Sequence, residues 1–167
     1  SPSEKTAEDR PTVKVRSFGP FTFHVEIPKG AKPFGHPFPC DYGYLPGYVG
    51  PDGDSLDFWV GSDKEGAFVS VDTEEQNTKG IWVKRDTKYI VGVPRNAVHL
   101  VLTQIERKPK TRCVNRRDYA SWDALTKSIA HFKDEDDQVE KTAATKDDGL
   151  VRVPYSQNFP FPSKTSL

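Results

Sequence analysis

The sequence predicts a mainly β domain, a small barrel or sandwich with one or two helices packed on it. Three observations carry this expectation. Short apolar segments recur at roughly ten-residue spacing, as in small all-β folds. Proline makes up 14 of 167 residues, above the roughly 5% average, which favours loops and strands over helix. Only one stretch, late in the chain, shows apolar residues at three- and four-residue spacing. A chain of 167 residues suits one domain with a real core.

Residues 1–11 are polar and read as an N-terminal arm. In FTFHVEI (21–27), Phe21, Phe23, Val25 and Ile27 alternate with Thr22, His24 and Glu26, the pattern of a half-buried strand. Residues 28–41 hold too much Pro and Gly for a regular element. The segments DFWVG, AFVSVD, IWVKR, KYIVGV and VHLVLTQI read as five further strands. Asp52-Gly53, the Gly61–Gly66 stretch and Pro94-Arg95-Asn96 mark turns between them. Tyr119, Trp122, Leu125, Ile129 and Phe132 fall on one helical face, with Ser121 or Asp118 as the cap. Residues 134–149 read as a second short helix and 150–167 as an extended aromatic tail, so the domain is expected over 12–149.

Lys plus Arg equals Asp plus Glu at 24 each, which argues against capture of nucleic acid by the whole chain. No apolar run approaches the roughly 18–20 residues of a membrane-spanning helix, so no membrane span is expected. The two cysteines, Cys40 and Cys113, form neither a disulfide framework nor a metal spacing and are expected reduced. There is no Met. The chain is therefore expected to have been trimmed or to have lost a leader, which leaves a cytoplasmic or an organellar (mitochondrial) compartment open.

The chemistry concentrates in DYGYLPGYVGPDGDSLDFWVG. Asp52, Asp54 and Asp57 lie within six residues, and three close carboxylates repel one another unless a cation intervenes. Hard oxygen ligands suit Mg²⁺ or Ca²⁺. A plain solvated Asp-Gly turn is the blander reading. A calcium loop of the EF-hand type fails on spacing, because the twelfth position from Asp52 is Asp63 rather than Glu.

This segment resembles the soluble (family I) inorganic pyrophosphatases. Asp52-Gly53-Asp54-Ser55-Leu56-Asp57 is similar to their Asp-x-Asp-Pro-hydrophobic-Asp motif, with Ser55 in the Pro place. Pro39-Cys40-Asp41-Tyr42-Gly43-Tyr44, Val25-Glu26-Ile27-Pro28, Asp86-Thr87-Lys88 and Ile129-Ala130-His131-Phe132 resemble four further landmarks in family order. A shortened form of the same kind occurs in pyrophosphatase-like domains of phage polyvalent proteins. The resemblance implies an OB-like five-stranded barrel and Mg²⁺-dependent hydrolysis of pyrophosphate or a related phosphoanhydride. It implies metal ligands at Asp52, Asp57 and Asp86, with Glu26 and Asp72 supporting further ions. It implies Asp54 as general base for the attacking water, and Lys88 and Tyr42 as contacts to the phosphates.

The cationic side of the family pattern is thin. Only residues 29–41 join Pro28 to Tyr42, with no Arg among them, so Lys29, Lys32 and His36 are the sole substitutes there and Lys29 is the expected substrate contact. Beyond the helix, Lys133-Asp134-Glu135-Asp136-Asp137 is acidic where the family has a Tyr-Lys pair. Each missing charge-assisted contact costs about 1.5–3 kcal/mol. The run Arg107, Lys108, Lys110, Arg112, Arg116 and Arg117 reads as a solvated loop, with a surrogate phosphate clamp or an RNA or partner contact as sharper readings. The rival function is an inactive pyrophosphatase-like structural subunit of a larger assembly or homo-oligomer. His24 and His131 read as structural, Cys40 as a packed small residue, and Tyr155, Phe159 and Phe161 as a strap.

Overall fold

A computed structural model describes residues 11–134. The expected arm over 1–10, the second helix beyond 134 and the tail lie outside the described residues. The chain divides between Phe132 and Lys133 into two units, and the architecture below is that of the first.

Seven strands and two helices follow one another: β1 (Lys14–Phe18), β2 (Phe21–Ile27), β3 (Asp41–Val49), β4 (Ser55–Val60), β5 (Ala67–Gln76), β6 (Trp82–Val93), α1 (Val98–Glu106), β7 (Thr111–Asp118) and α2 (Trp122–Ile129). All seven strands join one sheet in the order β1-β2-β3-β4-β6-β5-β7. Every pairing is antiparallel except β4 with β6, which run parallel with Asp57 opposite Lys88 and Trp59 opposite Ile90. The fold is thus mainly β, with seven strands in one sheet where the segment pattern suggested six and the resemblance a five-stranded barrel. β1, β3 and β7 form where no strand was expected. Both β1 and β7 are polar segments whose strand character comes from pairing rather than from apolar alternation.

The sheet is buried on both sides. On one, Trp59, Val69, Val71 and Ile90 pack with Val98, Val101 and Ile105 of α1 and with Phe38. On the other, Phe58, Val60, Tyr89 and Val91 pack with Leu125 and Ile129 of α2. Double burial accounts for the nearly unbroken apolar runs of β4 and of the second half of β6. Among the described residues no helix is long and apolar enough to cross a membrane.

Several expectations are corrected here. VHLVLTQI is helix α1, not a strand; its buried residues Val98, Val101, Gln104 and Ile105 recur with helical period, although its valines and isoleucine favour strands. IWVKR and KYIVGV are not separate strands but parts of β6. The basic segment 111–117 is part of β7, not a loop. The helix expected from Tyr119 to Phe132 forms as α2 plus a 3₁₀ turn over Ala130–Phe132. Ser121 caps it, accepting a hydrogen bond from the Ala124 N–H at 3.2 Å.

The Tyr42-Gly43-Tyr44 triplet has a backbone reason. A Cβ at Gly43 would stand 2.0 Å from the carbonyl oxygen of His24 on β2, so only glycine allows β2 and β3 to approach. The flanking tyrosines occupy the other face, where Tyr42 pairs with Trp59 and Tyr44 with Asp57 across to β4.

Candidate functional site

Alternation along β3, β4 and β6 brings Tyr42, Asp57, Asp86 and Lys88 to the face of the sheet that carries Trp59 and Ile90. There they form one cluster. The Lys88 ammonium donates to Asp57 Oδ2 at 2.7 Å and to the Tyr42 hydroxyl at 2.9 Å, and lies 3.1 Å from Asp86 Oδ2. Thr73 on β5, opposite Asp86, donates its hydroxyl to Asp86 Oδ1. Lys88 and Asp57 are 17% and 13% exposed, so water screens them little. Burial works against the Lys88 charge, but Tyr42, Asp57 and Asp86 outweigh it and hold its pKa well above the ordinary lysine value. Burial, seconded by the two carboxylates, likewise keeps the Tyr42 phenol protonated, against the pull of Lys88.

The resemblance implies Lys88 as a phosphate contact; here it is already paired with two carboxylates. The charge of Asp57 and Asp86 is relieved by Lys88 from within the chain. Asp52 and Asp54 lie on the turn between β3 and β4, where Asp52 Oδ1 accepts from the Asp54 N–H at 3.0 Å and Asp54 Oδ1 accepts from the Ser55 N–H at 2.9 Å. These contacts hold the turn in shape.

Beside the cluster opens a cavity of about 710 Å³. Asp52, Asp86, Lys88 and Tyr42 line one part of it, and Asp54 does not. Arg85, Arg107 and Lys108 stand on its wall, and Phe34, Phe38 and Trp59 form an apolar side. Arg107 and Lys108 come from the basic run and reach the cavity because α1 ends at Glu106, next to β7. Lys108 pairs there with Glu75 at 2.7 Å, and Arg107 donates to Gln104 Oε1 at 2.9 Å; of the rest of that run, Arg112 pairs with Glu74 at 2.8 Å, Arg116 with Asp118 at 2.8 Å and Arg117 with Asp72 at 3.0 Å.

Of the other expected site residues, Asp72 and Lys29 are placed apart from the cluster. Asp72 is on β5 next to Thr73 and so faces the opposite side of the sheet. It accepts from Thr87, Asn115 and Arg117 at 2.8, 3.1 and 3.0 Å. Lys29 lines a second cavity of about 600 Å³, together with Lys14, Arg16 and Asp41. Glu26 sits half-buried at the bulge between Val25 and Ile27. His24 hydrogen-bonds the Tyr44 hydroxyl at 3.1 Å, the structural role expected of it. Cys40 and Cys113 are both free thiols. Burial, then Asp41, pushes Cys40 up to about 12, and burial, then Glu106, does the same to Cys113, so neither is a thiolate nucleophile at neutral pH.

Trp59, Gln104 and Arg85 were missed from the sequence. Phe34 and Phe38, four residues apart in a Pro/Gly-rich linker, were the available signal, since a purely solvated loop has no use for them. Among the described residues no group of three or more His, Cys, Asp or Glu side chains is assembled to hold a metal ion. Compared with known proteins, the sequence matches no family model and no curated relative.

Two buried carboxylates make stability pH-dependent. Burial raises the pKa of Asp41, but the Lys29 N–H and the side chains of Arg16 and Lys14 outweigh it. For Asp72, Asn115, Thr87 and Arg117 do the same. Both groups therefore end below the ordinary value of 3.8. The unfolded chain then takes up these protons first as pH falls, so their stabilisation is complete above about pH 4–5 and is lost below it. Urea midpoints measured from pH 7 to pH 3 should be level at the upper end and drop at the lower. Asp41→Asn and Asp72→Asn, each weaker at pH 7, should show a shallower acid decline.

Proposed function

We propose that this chain hydrolyses a phosphoanhydride with Mg²⁺ at the cavity beside Lys88, in the manner of the soluble inorganic pyrophosphatases. One observation carries the reading: Tyr42, Asp57, Asp86 and Lys88, drawn from three strands, meet in one cluster, and Tyr42, Asp86 and Lys88 of that cluster line a cavity together with Arg85, Arg107 and Lys108. Of these cations, Arg107 donates to Gln104 Oε1 at 2.9 Å, while Arg85 and Lys108 pair with Glu75 of the same cavity at 3.5 and 2.7 Å, so an anionic substrate would compete with that carboxylate for the clamp. The finer fold reading goes with it: β2, β3, β4, β6 and β5, contiguous in the sheet, would be the five-stranded OB-like core.

The donor set fits Mg²⁺. That ion commonly takes one or two carboxylates and completes its shell with water and substrate phosphate oxygens, so a ready cluster of three protein ligands is not required. Asp57 and Asp86 both present an oxygen within 3.1 Å of a single cationic centre, Lys88 Nζ, and Asp52 shares the cavity. Bound there, the ion would lower the pKa of a water and neutralise phosphate oxygens. The chain's own groups do the rest. Arg107 and Lys108 orient the anion and Lys88 and Tyr42 donate to its oxygens; Asp54, implied as the general base, lies outside the cavity lining and would have to reach in from the turn beside Asp52 to take the proton of the attacking water. Water adds to one phosphorus, the bond from that phosphorus to the bridging oxygen breaks, and two orthophosphates leave.

A second reading, a non-catalytic pyrophosphatase-like subunit, is favoured by the internal neutralisation of Asp57 and Asp86 by Lys88. The two separate in one experiment. The purified full chain should release phosphate from pyrophosphate only when Mg²⁺ is present, and Asp57→Asn should lower that rate at least about ten-fold. Release no faster than a blank with Mg²⁺ would leave the structural reading in possession.

A further inference from the structure

Two cations of the cavity are held by a carboxylate of the chain itself. Glu75 lies on β5, opposite Val83 of β6 and Thr111 of β7, and lines the cavity. Its Oε1 is 3.5 Å from Arg85 Nε, and its Oε2 is 2.7 Å from Lys108 Nζ. One carboxylate thus bridges cations from two separate elements, β6 and the turn between α1 and β7. The hydrogen bond from Lys108, opposed by burial and helped by the charges of Lys108, Arg85 and Lys88, holds the Glu75 carboxyl below its ordinary range. It is therefore charged at neutral pH.

The contact is made to exchange rather than to hold the fold. The side chains of Arg85 and Lys108 are 62% and 65% exposed, and ion pairs so open to water contribute little to folding. The Arg85 contact is also long, and Lys108 carries its charge on a flexible stem. Lys88 differs on each count, being 17% exposed and set between Asp57 and Asp86. A carboxylate brings a single charge to Arg85 and Lys108. A phosphoryl group brings about 1.5–2 charges at neutral pH and more acceptor oxygens, so it can take the place of the carboxylate.

We propose that Glu75 is an autoinhibitory carboxylate, closing the clamp of Arg85 and Lys108 until a phosphate group of the substrate displaces it. The inference rests on the phosphoanhydride reading for the identity of the anion and adds how the clamp is regulated. Apparent affinity is then the intrinsic affinity reduced by the fraction of molecules whose clamp is open.

Calorimetric titration with pyrophosphate in Mg²⁺, comparing the full chain with its Glu75→Gln variant, tests this. Glutamine keeps the shape of the side chain and removes its charge. Binding should tighten about ten-fold, the change expected if the clamp is open in about a tenth of the molecules. Removing any negative charge near an anion favours binding somewhat, so two further variants isolate the contact. Glu74→Gln takes the same charge from the preceding residue, which pairs with Arg112 at 2.8 Å and does not line the cavity. Its affinity should stay within about two-fold of the native chain, because water screens the more distant charge. In a Lys108→Met background the gain from Glu75→Gln should shrink, since one of the two masked cations is gone. Glu75→Gln binding no tighter than Glu74→Gln, or a gain of the same size without Lys108, overturns the proposal. Failure of the hydrolytic reading looks different: Glu75→Gln tightens pyrophosphate binding and no phosphate appears.

Discussion

Lys88→Met is expected to lower folding stability by about 3–5 kcal/mol at neutral pH, the cost of breaking a buried ion pair by removing one partner. Methionine keeps the length of the stem and takes away the ammonium. Asp57 and Asp86 then face one another with no charge between them, where Lys88 had held them at 2.7 and 3.1 Å. One of the two carboxyls should take up a proton in response, so the deficit measured by urea unfolding should shrink as pH falls toward 5. Combining Lys88→Met with Asp57→Asn should recover much of the loss, because the repulsion goes with the second charge. Adding Mg²⁺ to Lys88→Met should raise its urea midpoint if these carboxylates can hold a divalent ion. A deficit below about 1 kcal/mol would mean that the three charges are solvated rather than packed together.

Gly43→Ala is expected to destabilise the fold by about 3 kcal/mol, the upper part of the range for overpacking. The added methyl would stand 2.0 Å from the His24 carbonyl oxygen and 2.8 Å from Val25 Cα. Both are backbone atoms of the neighbouring strand, so no rotamer change relieves the contact. β2 and β3 must separate locally, which also weakens the hydrogen bond between His24 and Tyr44. Thermal unfolding of the variant should show a loss of several degrees in Tm. Unchanged Tm would show that the two strands are farther apart than described.

The parts of the fold legible in the sequence were those whose burial leaves a period. FTFHVEI alternates and is β2; Trp122, Leu125 and Ile129 step by three and four and belong to α2. VHLVLTQI misled because its β-branched residues suit a strand while their three-residue steps suit a helix, and burial of one face decided for the helix. β1 and β7 left no apolar signal at all. The one-dimensional pattern of KVRSF or TRCVNRRD does not reveal that its backbone pairs with a neighbour. At the site, Asp57, Asp86, Lys88 and Tyr42, four of the residues the resemblance implies, were brought together by the fold. Asp72 was not, because its position next to Thr73 sends it to the other face, a one-residue parity that spacing alone does not fix. Trp59 and Gln104 were invisible as site residues because each is ordinary until the cavity exists.

The parallel pairing of β4 with β6 gives the ion cluster a second task. These strands lie side by side near the middle of the sheet, and their largely apolar sequences offer several alignments of nearly equal hydrophobic merit. Sliding β6 by one residue would carry the ammonium of Lys88 to the face of Phe58 and Val60, away from Asp57 and Asp86, and turn Tyr89 toward Asp57. The observed alignment is the one that sets the Lys88 ammonium between both carboxylates. Electrostatics here acts as a proofreader of strand alignment, rejecting mispaired chains that greasy contacts alone would accept.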